Sequence, residues 1–204
     1  MDMIGILVLV ISFFFLLVVG VPVAYSIGVA GILTMLVNID SLPALTTYAM
    51  RMASGLDSFA LLAIPFFILA GNIMNSGGIA LRLIDFAKVL VGRLPGGLAV
   101  VNVVANMLFG AISGSAAAAA SAIGSIMTPE MKKAGYDPNF SAAVNISSAT
   151  TGMTIPPSNV LIVYSLASGG VSVSALFMAG YLPGILTGVA IMIVAAMFAA
   201  RKGY

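Results

Sequence analysis

The chain has 204 residues, of which 61% are hydrophobic and 7% are charged, and its formal net charge is +2. An ordinary soluble domain has about 25% charged residues, so this composition excludes a soluble globular protein and predicts an integral membrane protein. Cys and His are both absent, which excludes disulfides and thiolate or imidazole metal sites. With so few ionisable residues we expect neither an enzyme nor a cofactor site, and no binding to nucleic acid.

The first uncharged stretch, residues 3–39, predicts two membrane helices. Gly20-Val21-Pro22 lies near its middle, and Pro starts helices and breaks their interiors. The tripeptide therefore predicts a tight turn between the two helices. Residues 41–56, which include Pro43 and Arg51, predict an interfacial helix or a connector.

The next two segments differ in polarity. Residues 59–74 are apolar and predict a further crossing that is kinked or interrupted near Pro65. Residues 79–94 place Arg82, Asp85, Lys88 and Arg93 among apolar residues at three-to-four spacing. That pattern is typical of an amphipathic helix lying along the membrane surface.

The uncharged run from residue 94 to residue 129 has Gly110-Ala-Ile-Ser-Gly-Ser115 near its midpoint. It is too long for one crossing, which needs roughly 20 residues, and short for two crossings with a turn. We therefore predict a re-entrant hairpin that turns inside the membrane. Irregular backbone at that depth survives where protein buries it or where it lines a water-filled cavity, which indicates a solute or ion pathway.

A second interruption is expected between residues 138 and 168. Thr150-Thr-Gly-Met-Thr-Ile-Pro-Pro-Ser-Asn159 contains two adjacent prolines, which disfavour helical geometry. The segment predicts a discontinuous helix whose two halves present unpaired backbone groups near the midplane, N–H groups to anions and carbonyls to cations. Ser168-Gly169-Gly170 then precedes a final crossing.

The basic residues predict the orientation, because Lys and Arg are enriched in cytoplasmic loops. With the N-terminus outside and a hairpin at 94–129, seven of the eight basic residues lie on the cytoplasmic side. Two complete crossings would give the same parity, so only the length and the Gly-Ser midpoint favour the hairpin.

The remaining polar residues have simpler interpretations. Glu130, Lys132 and Lys133 are expected in a solvated cytoplasmic loop. Amide side chains at membrane depth often hydrogen-bond between helices, and we expect at most one or two of them to touch an ion or substrate. These amides are Asn102, Asn106, Asn145 and Asn159.

Four strings in a fixed order resemble the large membrane subunit of TRAP transporters, the tripartite ATP-independent periplasmic family. They are Leu56-Asp-Ser-Phe-Ala-Leu-Leu-Ala-Ile-Pro-Phe-Phe-Ile-Leu-Ala-Gly71, Gly110-Ala-Ile-Ser-Gly-Ser115, Ala122-Ile-Gly-Ser-Ile-Met-Thr-Pro-Glu-Met-Lys-Lys-Ala-Gly-Tyr-Asp137 and Ile155-Pro-Pro-Ser158. The resemblance runs from about residue 3 to the terminal Tyr204.

The resemblance implies an all-α polytopic membrane protein, one inverted-repeat half of an elevator-type transporter with a re-entrant hairpin and a discontinuous helix. Residues 1–94 would hold scaffold helices and the amphipathic arm. Residues 95–168 would form half of the transport domain, with the hairpin at 95–133 and the broken helix at 138–168. Residues 169–204 would form the final transmembrane helix and a cytoplasmic end.

The implied function is sodium-coupled uptake of organic acids, such as C4-dicarboxylates or sialic acid, across the bacterial inner membrane, with a periplasmic N-terminus. Sodium would be the coupling ion and no other metal is implied. The implied partners are a small membrane subunit, a periplasmic solute-binding protein and the lipid bilayer. The implied cation ligands are Ser113, Gly114, Ser115, Gly152, Thr154 and Ile155, and the implied substrate contacts are Ser115, Pro156, Pro157 and Ser158.

The chain departs from the family in length, since the family's large subunit is about twice as long and this chain resembles only its N-terminal half. A second, C-terminal repeat would then come from another polypeptide, or the sequence is a truncated product. We expect no transport by this chain alone. Two alternatives stay open: half of a sodium/carboxylate symporter that needs no binding protein, and a non-transporting membrane fragment.

Overall fold

The computed structural model describes residues 3–204, apart from the side chain of Phe59. The described residues form α-helices and one 3₁₀ turn, and contain no strand, which confirms the all-α prediction. The helices are α1 Met3–Val18, α2 Val23–Asn38, α3 Ser41–Leu56, α4 Phe59–Ser76, α5 Ile79–Val91, α6 Gly97–Ser113, α7 Ala116–Lys133, α8 Pro138–Ala149, α9 Asn159–Ala167 and α10 Val173–Lys202, with the 3₁₀ turn Thr150–Met153 between α8 and α9.

Contacts group the helices into two compact units that divide between Ser58 and Phe59. The first holds α1–α3 and the second holds α4–α10. The predicted division at residue 94 separates parts that move from parts that do not, whereas these units are defined by packing. That functional division therefore stays a prediction.

The first unit confirms the predicted pair of helices and its turn. Gly20 lies between α1 and α2 with φ of +90°, a left-handed conformation that glycine adopts without steric cost. Most apolar side chains of α1 are exposed, including Phe14 at 59% and Phe15 at 64%. So much exposed apolar surface suits contact with lipid or with another membrane subunit.

In the second unit, α4 is continuous through Pro65, so an interruption at that residue is wrong. A proline removes one backbone hydrogen bond of a helix, and the neighbouring bonds of α4 persist. The amphipathic prediction for α5 is confirmed, because Ala80, Ile84 and Ala87 are buried on one face while Arg82 is exposed. The helix ends at Val91, three residues before the predicted end.

The centre of the second unit is the helical hairpin of α6 and α7. Its α6 helix packs against α5, α7, α8 and α10, and buries Val101, Val103 and Phe109. The α10 helix has Gly180, Gly184 and Gly188 buried one turn apart, and it meets α6 at Met107 through Gly188, whereas Gly180 and Gly184 face Thr154 and Ile155. Small residues at this spacing let helices approach closely in membranes. Within residues 3–204, α10 alone is long and apolar enough to cross a membrane by itself.

The end of the hairpin opposite its turn is held by an ion pair and by aromatic rings. The α7 helix continues through Pro129 to Lys133, so the solvated loop predicted for Glu130 and the two lysines is wrong. Glu130 accepts the Lys88 ammonium at 2.9 Å, and the rings of Tyr136 and Tyr204 stack with centroids 4.5 Å apart. Burial raises the pKa of the Tyr136 hydroxyl above its ordinary value.

Candidate functional site: the hairpin turn and the helix break

The turn of the hairpin consists of two residues with different backbone conformations. Gly114 ends α6 in the left-handed region, with φ of +63°, and its N–H donates to the Gly110 carbonyl at 2.8 Å. Ser115 is extended and begins α7, where its hydroxyl accepts the Ala118 N–H at 3.3 Å. Glycine ends helices in this conformation and serine begins them, so the Gly-Ser pair accounts for the turn.

The predicted break lies between α8 and α9. The 3₁₀ turn follows α8 directly, and the Thr154 and Ile155 N–H groups both donate to the Thr151 carbonyl. The peptide bond between Pro156 and Pro157 is cis. Ser158 begins α9, accepts the Leu161 N–H at 3.3 Å and donates to the Met153 carbonyl. Helical hydrogen bonding thus stops and restarts within this segment.

The turn and the break lie against each other. A Cβ atom added to Gly152 would lie 2.7 Å from Cα of Gly110, and one added to Gly110 would collide with Cα of Gly152. One helical turn further along the chain, at the hairpin turn itself, the Asn159 N–H donates to the Gly114 carbonyl at 3.4 Å. A Cβ on Gly114 would lie 2.8 Å from the Pro157 carbonyl oxygen. Backbone therefore meets backbone, without side chains between.

Four helix ends converge at this contact. The C-terminal end of α6 and the 3₁₀ turn bring carbonyl groups, whereas the first turns of α7 and α9 bring N–H groups. Carbonyl ends carry partial negative charge and N-terminal ends carry partial positive charge. The arrangement can therefore accept a small cation and an anionic group side by side.

The cation ligands expected from the sequence are only partly brought together. Ser113 is buried beside Gly71 of α4, and its hydroxyl donates to the Ser115 carbonyl at 3.4 Å. The carbonyl of Thr154 points at Gly180 of α10, where an added Cβ would lie 2.6 Å away, and Ile155 packs on Gly184. Of the expected set, Gly114 and Gly152 therefore lie at the contact, Ser113 and Ser115 flank Gly114 in the turn with Ser113 beside α4, and Thr154 and Ile155 face α10.

The residues expected to contact substrate belong to the same turn and break but differ in how far they are buried. Pro156 and Ser158 are buried, and Pro157 is half-buried. Both Ser115 and Ser158 use their hydroxyls to begin helices. A ligand at either serine could therefore contact only the remaining lone pair of the hydroxyl and the N–H groups of the following helical turn.

Asn159, which the sequence offered only as one of four amides at membrane depth, also lies at the contact. The Oδ1 atom of Asn159 is buried and has no hydrogen-bond partner, and it lies 3.4 Å from the position of a Cβ on Gly114. Its place directly after the Pro-Pro-Ser string was the available signal. The other three amides do hydrogen-bond between helices as predicted, since Asn106 of α6 donates to Asn145 of α8 at 3.0 Å.

The donor set at the contact is composed of neutral oxygens. The described residues contain no group of three or more acidic, His or Cys side chains that could hold a metal ion. Hard monovalent cations accept backbone carbonyl and hydroxyl oxygens, whereas transition metals prefer imidazole and thiolate. The residues present therefore fit sodium. A groove of about 410 Å³ between α8 and α10 is lined almost wholly by apolar side chains and lacks groups for a carboxylate.

The chain is similar in sequence to known membrane permeases, as its helical architecture suggests. Residues 10–204 match the family described as "Tripartite ATP-independent periplasmic transporter, DctM component". The chain belongs to this family, the large permease subunits of TRAP transporters, which are transport proteins rather than enzymes.

Three relatives illustrate the range of the family. The chain is 59% identical over 98% of its length to the uncharacterised protein YgiK of Salmonella typhimurium, covering 46% of that protein. It is 45% identical over 87% of its length to the C4-dicarboxylate TRAP transporter large permease protein DctM of Vibrio cholerae, covering 39%. It is 40% identical over 93% of its length to the sialic acid TRAP transporter large permease protein SiaM of the same organism, covering 44%. The chain thus spans less than half the length of these relatives.

Proposed function

We propose that this chain is the first half of the large permease of a sodium-coupled TRAP transporter that takes up organic acids across the bacterial inner membrane. It would work with a small membrane subunit, a periplasmic solute-binding protein and a second, C-terminal repeat. The relatives carry names of transporters for C4-dicarboxylates and for sialic acid, which supports a carboxylate as the substrate class.

The observation that carries this proposal is the backbone contact between the hairpin turn and the helix break, at Gly110 and Gly152. Discontinuous helices in secondary transporters place half-helix ends at the substrate and ion sites. Here carbonyl ends and N–H ends meet at one place within one repeat. We assign sodium to Ser113, Gly114, Ser115 and Gly152, with Thr154 and Ile155 completing the set after a rearrangement toward the hairpin.

The substrate carboxylate would lie on the N–H side of the same contact. The first turns of α7 and α9 would face it, with Ser115, Pro156, Pro157 and Ser158 forming the wall. A carboxylate near a helix N-terminus is stabilised by the helix dipole and by unpaired N–H groups. The second repeat would supply the opposite wall.

The helix lengths support a hairpin that enters and leaves on one side. The 17 residues of α6 extend about 25 Å at 1.5 Å per residue, less than the roughly 30 Å hydrocarbon core. The N-terminus would be periplasmic and the Lys-rich end of α7 cytoplasmic. The hairpin and the break would move together as an elevator against scaffold helices within residues 1–94.

Serine substitutions test the proposal in the assembled transporter. Removing one neutral oxygen ligand should raise the sodium concentration for half-maximal uptake by roughly tenfold, since a lost hydrogen-bond-class interaction costs about 1.4 kcal/mol. Ser113→Ala and Ser115→Ala should both show this shift in proteoliposomes.

The matched control is Ser172→Ala. Ser172 begins α10 by accepting the Ala175 N–H, so its loss removes a helix cap away from the proposed site. The control should leave sodium dependence unchanged. Equal sodium dependence in all three variants would refute the proposed ion site. Uptake without a binding protein would favour a carboxylate symporter instead.

A further inference from the structure

An open groove of about 410 Å³ lies between α8 and α10. Its walls are apolar except for Ser147, and its lining residues lie outside the hairpin turn and the helix break. The α10 helix is long and apolar enough to cross a membrane, so the groove runs along a helix suited to lipid hydrocarbon. It is therefore separate from the proposed sodium and substrate site.

One end of the groove lies at the C-terminal end of α10. Tyr204 follows this helix, and its ring centroid lies 5.9 Å from that of Phe140 in the first turn of α8. The Tyr204 hydroxyl accepts the N–H of Asp137, which precedes α8, at 3.1 Å. The last turn of α10 therefore meets the first turn of α8, and Phe140 and Phe198 line this end of the groove.

The face of α10 that lines the groove continues into two basic residues. Residues three and four apart lie on the same face of a helix. Arg201 and Lys202 come three and four residues after Phe198, and both are exposed in the last turn of α10. They extend by one turn the series of α10 residues that line the groove, which are Ala190, Ile191, Val194, Ala195 and Phe198.

The positive charge at this end lacks ion-pair partners among the described residues. Arg201 and Lys202 form no ion pair there, whereas Lys88 is paired with Glu130. The carboxylate of Asp137 accepts two N–H groups from the first turn of α8. An anionic group at this end of the groove would therefore meet two basic side chains that are free to bind it.

We propose that the groove binds one acyl chain of an anionic phospholipid, whose phosphate lies at Arg201 and Lys202. The apolar walls fit hydrocarbon, and basic residues at the end of a cleft between membrane helices fit a negatively charged head group. An apolar protein helix would fill the groove without engaging the two charges, so a lipid is the better occupant. The bound lipid would join α8 to the end of α10. This site does not depend on the proposed transport function.

Fluorescence quenching tests the site, because the chain contains no Trp. Phe198→Trp places a reporter at the groove, where Phe198 is 52% exposed. Phe14→Trp is the matched control, since Phe14 is 59% exposed on α1, which has no charged residue. The chain is reconstituted in equimolar phosphatidylglycerol and phosphatidylcholine, with one of the two lipids brominated on its acyl chains.

The reporter at residue 198 should show a preference for the anionic lipid. Phosphatidylglycerol should occupy the groove about thirtyfold more often than phosphatidylcholine, roughly fivefold for each basic residue, and should quench Phe198→Trp correspondingly more strongly. Phe14→Trp should be quenched equally by the two lipids. Adding Arg201→Gln and Lys202→Gln together should remove the preference, whereas adding Arg51→Gln, exposed on α3, should leave it. High salt should also weaken it.

Native mass spectrometry of the chain without an added Trp provides a second measurement. Phosphatidylglycerol should stay bound at collision energies that remove phosphatidylcholine. Ala143→Phe with Ala190→Phe fills the groove from both walls and should abolish this retention. Ala179→Phe, exposed on α10 roughly 16 Å from Ala190, should preserve it.

The proposal is overturned if the two lipids quench Phe198→Trp equally, or if the preference survives Arg201→Gln with Lys202→Gln. Retention of phosphatidylglycerol by the filled groove would overturn it equally. If neither lipid quenches Phe198→Trp while both quench Phe14→Trp, a protein segment covers the groove and the lipid is the wrong occupant.

Discussion

At the scale of single residues, Gly114 is the most constrained position of the hairpin turn. Its φ of +63° disfavours any residue with a Cβ, and the Pro157 carbonyl fills the space that a Cβ would need. Two independent requirements, backbone conformation and close approach, therefore select glycine.

Gly114→Ala should lower the free energy of unfolding by more than the left-handed conformation alone, which costs about 1–2 kcal/mol. The additional cost arises from displacement of the Pro157 carbonyl. Chemical or thermal unfolding of the chain in detergent measures the difference.

Gly135→Ala is the matched control, because Gly135 has φ of +86° with nothing within 4 Å of an added Cβ. It should show the conformational cost only. Equal destabilisation of the two variants would mean that the break does not press against the turn.

The turn could be predicted from the sequence because Gly and Ser act locally on the backbone. The hydrogen bonds among Asn102, Asn106 and Asn145 could be predicted only as a tendency of amides to bond between helices. Which amide pairs with which depends on Gly124 leaving space for Asn145, 21 residues further along the chain. The pairing depends on how the helices pack, and a single sequence does not show which residues of two packed helices face each other.

At the scale of elements, the contact between α6 and the 3₁₀ turn depends on two glycines facing each other. An added methyl group at either position would meet backbone, which cannot rotate away as a side chain does. Overpacking of this kind costs typically 1–3 kcal/mol.

Gly152→Ala should therefore destabilise the chain by about 1–3 kcal/mol, whereas Gly55→Ala in α3 should be neutral or stabilising by up to about 1 kcal/mol, because nothing lies within 4 Å of its Cβ. The free energy of unfolding distinguishes them. The close approach is refuted if Gly152→Ala is as stable as Gly55→Ala.

The ion pair between Lys88 and Glu130 links α5 to the end of α7 at 2.9 Å. Both side chains are more than a third exposed, so solvent screens the attraction. A double-mutant cycle with Lys88→Met and Glu130→Gln should give a coupling of at most about 1 kcal/mol, and less at high salt. A salt-independent coupling of several kcal/mol would show that the pair is desolvated by lipid or by a partner.

Helix boundaries near proline show where sequence reasoning failed. Pro65 and Pro129 both lie inside continuous helices, although a kink or an interruption was expected near Pro65 and a loop was expected at Glu130, directly after Pro129. The Pro156-Pro157 pair does lie in the interruption between α8 and α9, because two adjacent prolines remove consecutive donors and disfavour the helical conformation of Ile155 and Pro156, the residues that precede them. The rule that proline interrupts a helix therefore held for the pair of adjacent prolines and failed for the two single prolines.

At the scale of the whole molecule, membrane character followed from composition and is supported by the exposed apolar faces of α1 and α10. The orientation and the division into moving and fixed parts stay predictions, and the organic acid belongs to the proposed function. The chain covers less than half the length of these relatives, and in the proposed transporter it would form only one wall of the site. We therefore expect this chain alone to be inactive in transport.

Sodium-driven uptake into proteoliposomes tests the central claim most directly. Labelled C4-dicarboxylate and sialic acid are offered with a purified binding protein, under a sodium gradient or a choline gradient. Vesicles contain either this chain alone or the chain with a second repeat and a small membrane subunit. We predict uptake of an organic acid only by the assembled transporter and only under the sodium gradient. Uptake by the chain alone, or uptake by the assembly that ignores the sodium gradient, would contradict the account.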